Sequence, residues 1–448
     1  MDAQTSDESR ATAVTDETWD DLSRPLPEWF ARAKFGIFIH WGAYSVPAWA
    51  EPTGALGEVP DEVWFAHNPY AEWYYNTIRI EGSPARAHHE KVYGGAPYDD
   101  FLDQWKAERF DPAAWAELFA HAGADYVVPT TKHHDGIALW DAPGTGSRNT
   151  VRRGPRRDLI GAIAEAVRAE GLRFGVYYSG GLDWSVTDLP PHRRGPEVHS
   201  LRPYDAAYNY YALAHVRDLI DRYRPDVLWN DIEWPDAGKH RGRDGLHELF
   251  ERYYAANPDG VVNDRWGDTH SDFATTEYSA MSENEAKDVW ENNRGLGWSF
   301  GFNQLESPKE ILDSQRLAKH WIDVVAKGGR LLINVGPTAE GVIPELQQES
   351  LRGFGAWKRA VADAAEETER REPTVPSNGR WRREWWTPRE HLVFVDATGE
   401  HRLDGAHVDL ERSRVLSGDA IVEQDRDDAV LRVAGVDGGP VAVAFARR

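Results

Sequence analysis

From Lys34 to about Pro337, short apolar runs alternate with longer stretches of helical periodicity. The runs are FGIFI (35–39), DYVVPT (125–130), RFGVYY (173–178), DVLWN (226–230), GVVN (260–263), DFATTEY (272–278), GWSFG (297–301) and RLLINV (330–335). Several are continuous and rich in β-branched or aromatic residues, as strands buried on both faces require. Helical patterns lie between many of them: DPAAWAELFAHAG (111–123), DLIGAIAEAVRAEG (158–171), YDAAYNYYALAHVRDLIDRY (204–223), HELFERYYAAN (247–257) and SPKEILDSQRLAKHWIDVVAKGG (307–329). The first opens with Asp before Pro, and the first two close on Gly, both helix-boundary signals. Eight strands with intervening helices predict an α/β fold, a (β/α)8-like TIM barrel.

After a helical pattern over 345–370 the texture changes. EPTVPSNGR (372–380) reads as a linker, and HLVFVDA (391–397), AHVDL (406–410), VLRVA (430–434) and PVAVAFA (440–446) follow, separated by Gly and Asp. Such short runs predict an antiparallel C-terminal β-sandwich. The expected organisation is a flexible segment over 1–25, a barrel domain over 26–370 and the sandwich over 375–448.

Composition narrows the chemistry. The 448 residues suit a barrel with a small appendage. A net charge of −23 repels phosphate backbones, so a nucleic-acid partner is not expected. The absence of cysteine removes disulfides, thiolate nucleophiles and Cys-ligated metals. The 20 tryptophans suit the flat apolar face of a pyranose, although most are expected in the core. The acidic N-terminus, MDAQTSDESRATAVTDETWDD, lacks the basic and apolar regions of a signal peptide, and no apolar run is long enough to span a membrane. A soluble, cytoplasmic protein with no membrane partner is the expectation.

Barrel active sites lie at the C-terminal ends of the strands. There the sequence places His40-Trp41-Gly42, Lys132-His133-His134-Asp135-Gly136, Tyr178-Ser179-Gly180-Gly181, Trp229-Asn230-Asp231, Asn263-Asp264-Arg265-Trp266 and Thr276-Glu277-Tyr278. Each alone is a weak signal, since an Asp at a strand end more often caps the next helix. Six in succession point to one polar and aromatic pocket. Two carboxylates suffice for retaining glycoside hydrolysis, one ionised as nucleophile and one protonated as acid. Asp231 fits the first role and Glu277 the second; Glu233, Glu283, Glu285 and Glu291 compete with Glu277, and spacing does not rank them.

FGIFIHWG, PYAEWYYN, TTKHHDG, GPRRDLIG, GVYYSGGLDW, VLWNDIEWP, VNDRWG and LLINVGP, in this order, resemble the α-L-fucosidases of glycoside hydrolase family 29 from about Pro27 to about Trp357. The resemblance implies a catalytic barrel, a C-terminal β-sandwich and metal-free, cofactor-free retaining removal of terminal α-linked L-fucose from glycans or glycosides. It implies Asp231 of the W-N-D motif as nucleophile and Glu277 of T-x-E-Y as acid/base. By motif it also implies fucose binding by His40, Glu72, Trp73, His133, His134, Tyr178, Trp229 and Arg265. The stretches 83–95 and 184–203 differ most and bear on the leaving group.

Three rivals are weaker. A metal-dependent hydrolase could use His40, His133, His134 and Asp231, but a His-x-His pair after the first strand and an H-E-x-x-H helix are missing. A non-catalytic sugar-binding protein would usually have lost one carboxylate, and both remain. A dinucleotide enzyme lacks its G-x-G-x-x-G turn. The sequence leaves the linkage open and is compatible with a homo-oligomer.

Overall fold

Aspartates set the rhythm of this chain, both before strands and before helices. In the computed structural model, which describes residues 19–54, 59–278, 288–371, 380–404, 408–425, 428–436 and 438–447, eight parallel strands form one curled sheet. They are β1 (Phe35–Ile39), β2 (Tyr126–Lys132), β3 (Arg173–Ser179), β4 (Val227–Asp231), β5 (Val261–Val262), β6 (Ala274–Glu277), β7 (Trp290–Gly295) and β8 (Arg330–Val335). Ladders run in the order β5-β4-β3-β2-β1-β8-β7-β6, the order of a (β/α)8 barrel.

Before β2, Asp125 accepts from the backbone N–H of Lys34 and Phe35. Asp226 before β4 accepts from Phe174. Asp272 before β6 accepts from Val262 while its own N–H donates to the Val262 carbonyl, and this bridges β5 to the segment that enters β6. Each aspartate thus ties the start of its strand to the preceding one, using N–H groups the ladders leave free. Outside the sheet, Asp111, Asp158, Asp205 and Asp313 cap the helices Pro112–His121, Leu159–Ala169, Ala206–Tyr223 and Ser314–Ala326 by accepting from first-turn N–H groups.

Two sequence expectations shift. The helix expected over 307–329 begins at Ser314, after the Asp313 cap. The seventh strand is not GWSFG (297–301) but Trp290–Gly295, WENNRG. That strand is polar yet buried, because its side chains find polar partners on both faces of the sheet, Glu291 inside the barrel and Asn292 against His320 of the outer helix Ser314–Ala326. Asn292 Nδ2 donates to Thr276 Oγ1 at 2.9 Å, Asn293 Nδ2 to the Thr276 carbonyl at 2.8 Å, and Glu291 accepts from Trp229 and Tyr126. The apolar GWSFG run instead forms a loop that reaches the pocket through Phe300.

Beyond the barrel lie two antiparallel sheets. One has the order β12-β15-β10-β9 and the other β11-β14-β13. Their strands are β9 (Arg382–Trp386), β10 (Glu390–Val395), β11 (Gly399–Asp404), β12 (Val408–Ser417), β13 (Asp419–Asp425), β14 (Asp428–Gly435) and β15 (Val441–Arg447). Along β10 and β15 the two faces alternate. Val393, Val395, Val443 and Phe445 form a core with Leu403 and Leu431 of the second sheet, making the sandwich. Leu392, Phe394, Ala442 and Ala444 join the barrel's own core. Trp385 Nε1 donates to the Ile322 carbonyl and Trp357 Nε1 to that of Pro440, so the sandwich is docked by hydrogen bonds as well as by area. The expected linker lies, apart from Arg380, outside the described residues. No helix among the described residues is long and apolar enough to cross a membrane.

Candidate active site

The C-terminal ends of β1 to β6 converge on a cavity of about 530 Å³. His40, Glu72, Trp73, His133, His134, Trp229, Asp231, Arg265 and Glu277 all line it. Among the site residues read from sequence, Tyr178 does not. Its hydroxyl points outward to His215 Nδ1 at 3.0 Å, and its ring lies under Lys132 Nζ. The preceding Tyr177 lines the cavity instead and donates to Asp231 Oδ2 at 2.8 Å. Adjacent strand residues point to opposite faces, so a reading one residue off puts the wrong tyrosine inside.

Asp231 is nearly enclosed, at 8% exposure. Its Oδ1 accepts from Arg265 Nη1 at 2.9 Å and from the Ile232 N–H at 3.0 Å. Burial pushes its carboxyl up, but the Arg265 guanidinium and the bonds from Arg265 and Tyr177 outweigh that and hold it below the usual aspartate value. Glu277 is less enclosed. Its Oε1 accepts from the Tyr70 hydroxyl at 2.9 Å and its Oε2 from Arg265 Nη2 at 3.3 Å. One guanidinium therefore serves both carboxylates, with its face over the Trp229 ring.

The turns behind these carboxylates are strained. Ile232 and Glu233 follow Asp231 at φ 55° and 66°, and Tyr278 follows Glu277 at φ 55°. A β-branched Ile in the left-handed region is an outlier that surrounding structure must impose. Asn230 supplies part of that: its Nδ2 donates to the carbonyls of Glu233 and Arg265, both at 2.7 Å, so it fastens the β4 and β5 turns together. Gly181 supplies the room, since a Cβ there would sit 1.6 Å from the Ile232 carbonyl oxygen.

The histidines are neutral, and their tautomers follow from the network. Asn334 Nδ2 donates to the Phe300 carbonyl, so its Oδ1 faces His40 Nδ1 at 2.7 Å, and that nitrogen carries the proton. Ser179 donates to the Leu182 carbonyl, so His134 Nδ1–H donates to Ser179 Oγ at 2.7 Å. Burial pushes His40 down to about 4, His134 to about 3 and His133 well below its usual value. In His40 and His134 the Nε2 lone pair is left as an acceptor. Glu72, buried beneath the Phe300 loop, accepts from the Gly301 N–H at 2.7 Å. Burial raises its carboxyl to about 8 against that bond and the neighbouring Ser299, so at neutral pH it is a protonated donor.

The competing glutamates separate by environment. Glu233 lines the mouth but is paired with Lys239 and Arg202; burial pushes it up, and those cations pull it below its usual value. Glu291 is buried between Tyr126 and Trp229 and does not line the cavity. Glu283 and Glu285 lie outside the described residues. Of the divergent stretches, 184–203 contributes Gly195, Val198 and His199 to the mouth, whereas the helix Pro84–Tyr93 contributes nothing to the lining. Sequence reasoning missed Tyr70, Tyr177 and Phe300. Among the described residues no three His, Asp or Glu converge as metal ligands would.

The chain as a whole is similar to known proteins. The alpha-L-fucosidase family model matches residues 3–363. The alpha-L-fucosidase of Dictyostelium discoideum is 31% identical over 350 residues, covering 76% of this chain and 71% of its own. Human tissue alpha-L-fucosidase is 30% identical over 376 residues, covering 82% and 73%. A solved Thermotoga maritima alpha-fucosidase in complex with fucose is 42% identical, with a TM-score of 0.83 over 96% of this chain and 99% of that one.

Proposed function

The chain belongs to the alpha-L-fucosidase family, and from that premise we propose that it is a retaining, exo-acting α-L-fucosidase with Asp231 as nucleophile and Glu277 as acid/base. The observation that carries this reading is the sharing of Arg265 by two carboxylates in one aromatic and histidine-lined cavity. An ionised Asp231 attacks the anomeric carbon while Glu277 gives its proton to the leaving oxygen as the C–O bond breaks. The fucosyl-Asp231 ester has lost the charge that competed for Arg265. Glu277, still within reach of Arg265 and now a carboxylate after giving up its proton, takes a proton from the incoming water. Water attacks the anomeric carbon, the ester bond breaks, and α-L-fucose leaves.

The sugar's hydroxyls would meet neutral His40 and His134 as acceptors and protonated Glu72 as a donor, with His133 alongside. Phe300 offers an apolar face for the ring and its methyl group, beside Trp229, whose own ring face carries Arg265. The terminal sugar would fill the inner part of the cavity, leaving the mouth at Val198, His199 and Glu233 for the leaving group. The two carboxyl groups should lie roughly 5–5.5 Å apart for direct attack. The test is turnover of an aryl α-L-fucoside with NMR of the first-formed sugar. Initial α-L-fucose supports the proposal, initial β-L-fucose overturns double displacement, and fucose binding without turnover overturns the enzyme reading in favour of a lectin.

A further inference from the structure

Arg265 reaches its two carboxylates through terminal nitrogens alone, and a guanidinium held only there can still pivot about its own long side chain. The third nitrogen removes that freedom. Arg265 Nε donates to Thr275 Oγ1 at 3.0 Å, and the same hydroxyl donates to Asp264 Oδ1 at 2.8 Å. A hydroxyl has one proton to give. Because Asp264 takes it, the oxygen's lone pairs are turned toward Nε and the bond has a fixed direction.

The placement of Thr275 follows from the strand. It lies on β6 two residues before Glu277, on the same face of the sheet. Its β-branched side chain has few rotamers in a strand. The carboxylate of Asp264 is kept one hydroxyl away from Arg265, so the relay steadies the cation while Nη1 and Nη2 stay committed to Asp231 and Glu277.

We infer that Thr275 is a positioning residue: its hydroxyl, anchored on Asp264, sets the tilt at which one Arg265 guanidinium serves both Asp231 and Glu277. This rests on the roles proposed above for those two carboxylates. Thr275→Val removes the hydroxyl with little change of shape and suits a strand, and Thr275→Ser keeps the hydroxyl. In Thr275→Val, kcat/KM on an aryl fucoside should fall roughly tenfold to a hundredfold. The acid limb of its pH profile should move up by about half a unit or more, because a less well-aimed guanidinium favours ionised Asp231 less. Thr275→Ser should restore both.

A Val variant with wild-type rate and profile overturns the inference. So does a rate loss with an unmoved acid limb that Ser does not repair, since that is lost packing. The titration of the Asp231 carboxyl, followed by 13C NMR in wild type and both variants, needs no substrate. A rise in Val but not in Ser supports the relay even for a chain that turns over no fucoside, a result that would overturn the functional proposal alone. An unchanged titration in Val overturns the relay.

Discussion

Two buried carboxyls sit at two levels of the same barrel and meet opposite fates. Asp231 ends β4; Glu291 lies deeper, and Trp229, two residues before Asp231 on the same strand, donates to its Oε1 at 2.9 Å. Each carboxyl also receives a tyrosine hydroxyl, Tyr177 for Asp231 and Tyr126 for Glu291. Burial pushes both up. Asp231 nevertheless ends below its usual value and Glu291 above it. The difference is a guanidinium in contact. Arg265 bonds Asp231 directly, whereas the nearby Arg330 donates to the Ala33 carbonyl and lies over the Phe30 ring. Burial with neutral hydrogen bonds alone leaves a carboxyl raised; burial with a bonded cation leaves one lowered, as a nucleophile needs.

The largest effect should come from removing the ionised member. Asp231→Ala should lower kcat by on the order of 10⁴-fold or more on every fucoside, whatever the leaving group. Azide entering the vacated space should partly restore turnover and give the inverted β-fucosyl azide. An Asp231→Ala enzyme that keeps near-normal activity would place the nucleophile elsewhere and dissolve the contrast between the two levels.

Next comes Glu277→Ala, whose cost should depend on the leaving group. An aryl fucoside, whose phenolate needs little protonation, should lose far less in its first step than a sugar-linked fucoside. Hydrolysis of the ester should then limit turnover, and azide should accelerate it and yield α-fucosyl azide. Equal losses on both substrates without an azide effect would remove Glu277 from the acid/base role and turn attention to Glu283 and Glu285.

The contrast between levels also explains what the sequence could and could not say. β1, β2, β3, β4 and β8 are continuous apolar runs, so their existence and the polar residues after them were legible. Continuity, however, hides which side chains face inward, so the motif points to Tyr178 where Tyr177 lines the cavity. β7 was illegible because its Glu291, Asn292 and Asn293 look like a surface segment until their partners on β2, β4 and β6 are known. The apolar GWSFG drew the assignment away, though its Phe300 is apolar because it walls a pocket. β9, β11 and β13, rich in Arg, Glu and Asp, were missed for a simpler reason: one face of each is solvated or bridges the sheets.

A smaller effect tests Glu72, whose carboxyl burial raises as it does that of Glu291, but which lines the cavity. Its folded carboxyl titrates at about 8 against roughly 4.3 unfolded. Between those values the folded state holds the extra proton, so Glu72 makes stability fall as pH rises through that window. Glu72→Gln should match wild type in denaturant unfolding near pH 4. It should then gain on wild type up to about pH 8 and hold a constant lead above. Since an amide can also donate to a sugar hydroxyl, kcat/KM at pH 6 should stay within about tenfold. A variant that loses its lead as pH rises would mean that Glu72 is ionised in the folded protein.

The smallest effect should come from Glu291→Gln, and its smallness is the point. If Glu291 is a neutral acid below the cavity, the amide can replace it group for group. Gln Oε1 accepts from Trp229 Nε1, and the amide N–H donates to the Tyr126 oxygen, whose hydroxyl can rotate. No charge is lost from the site, so kcat/KM should change by no more than about threefold and the acid limb should not move. Stability should repeat the Glu72 pattern in direction. Burial raises the Glu291 carboxyl, so ionising it at higher pH costs the folded wild type something that Gln does not pay. The variant should therefore be at least as stable as wild type near pH 8 and no more stable near pH 4, read by denaturant midpoints at the two pH values. A large fall in activity with the acid limb displaced would show that Glu291 carries charge felt at Asp231. The barrel interior would then be one electrostatic unit rather than a neutral floor beneath an ionised site.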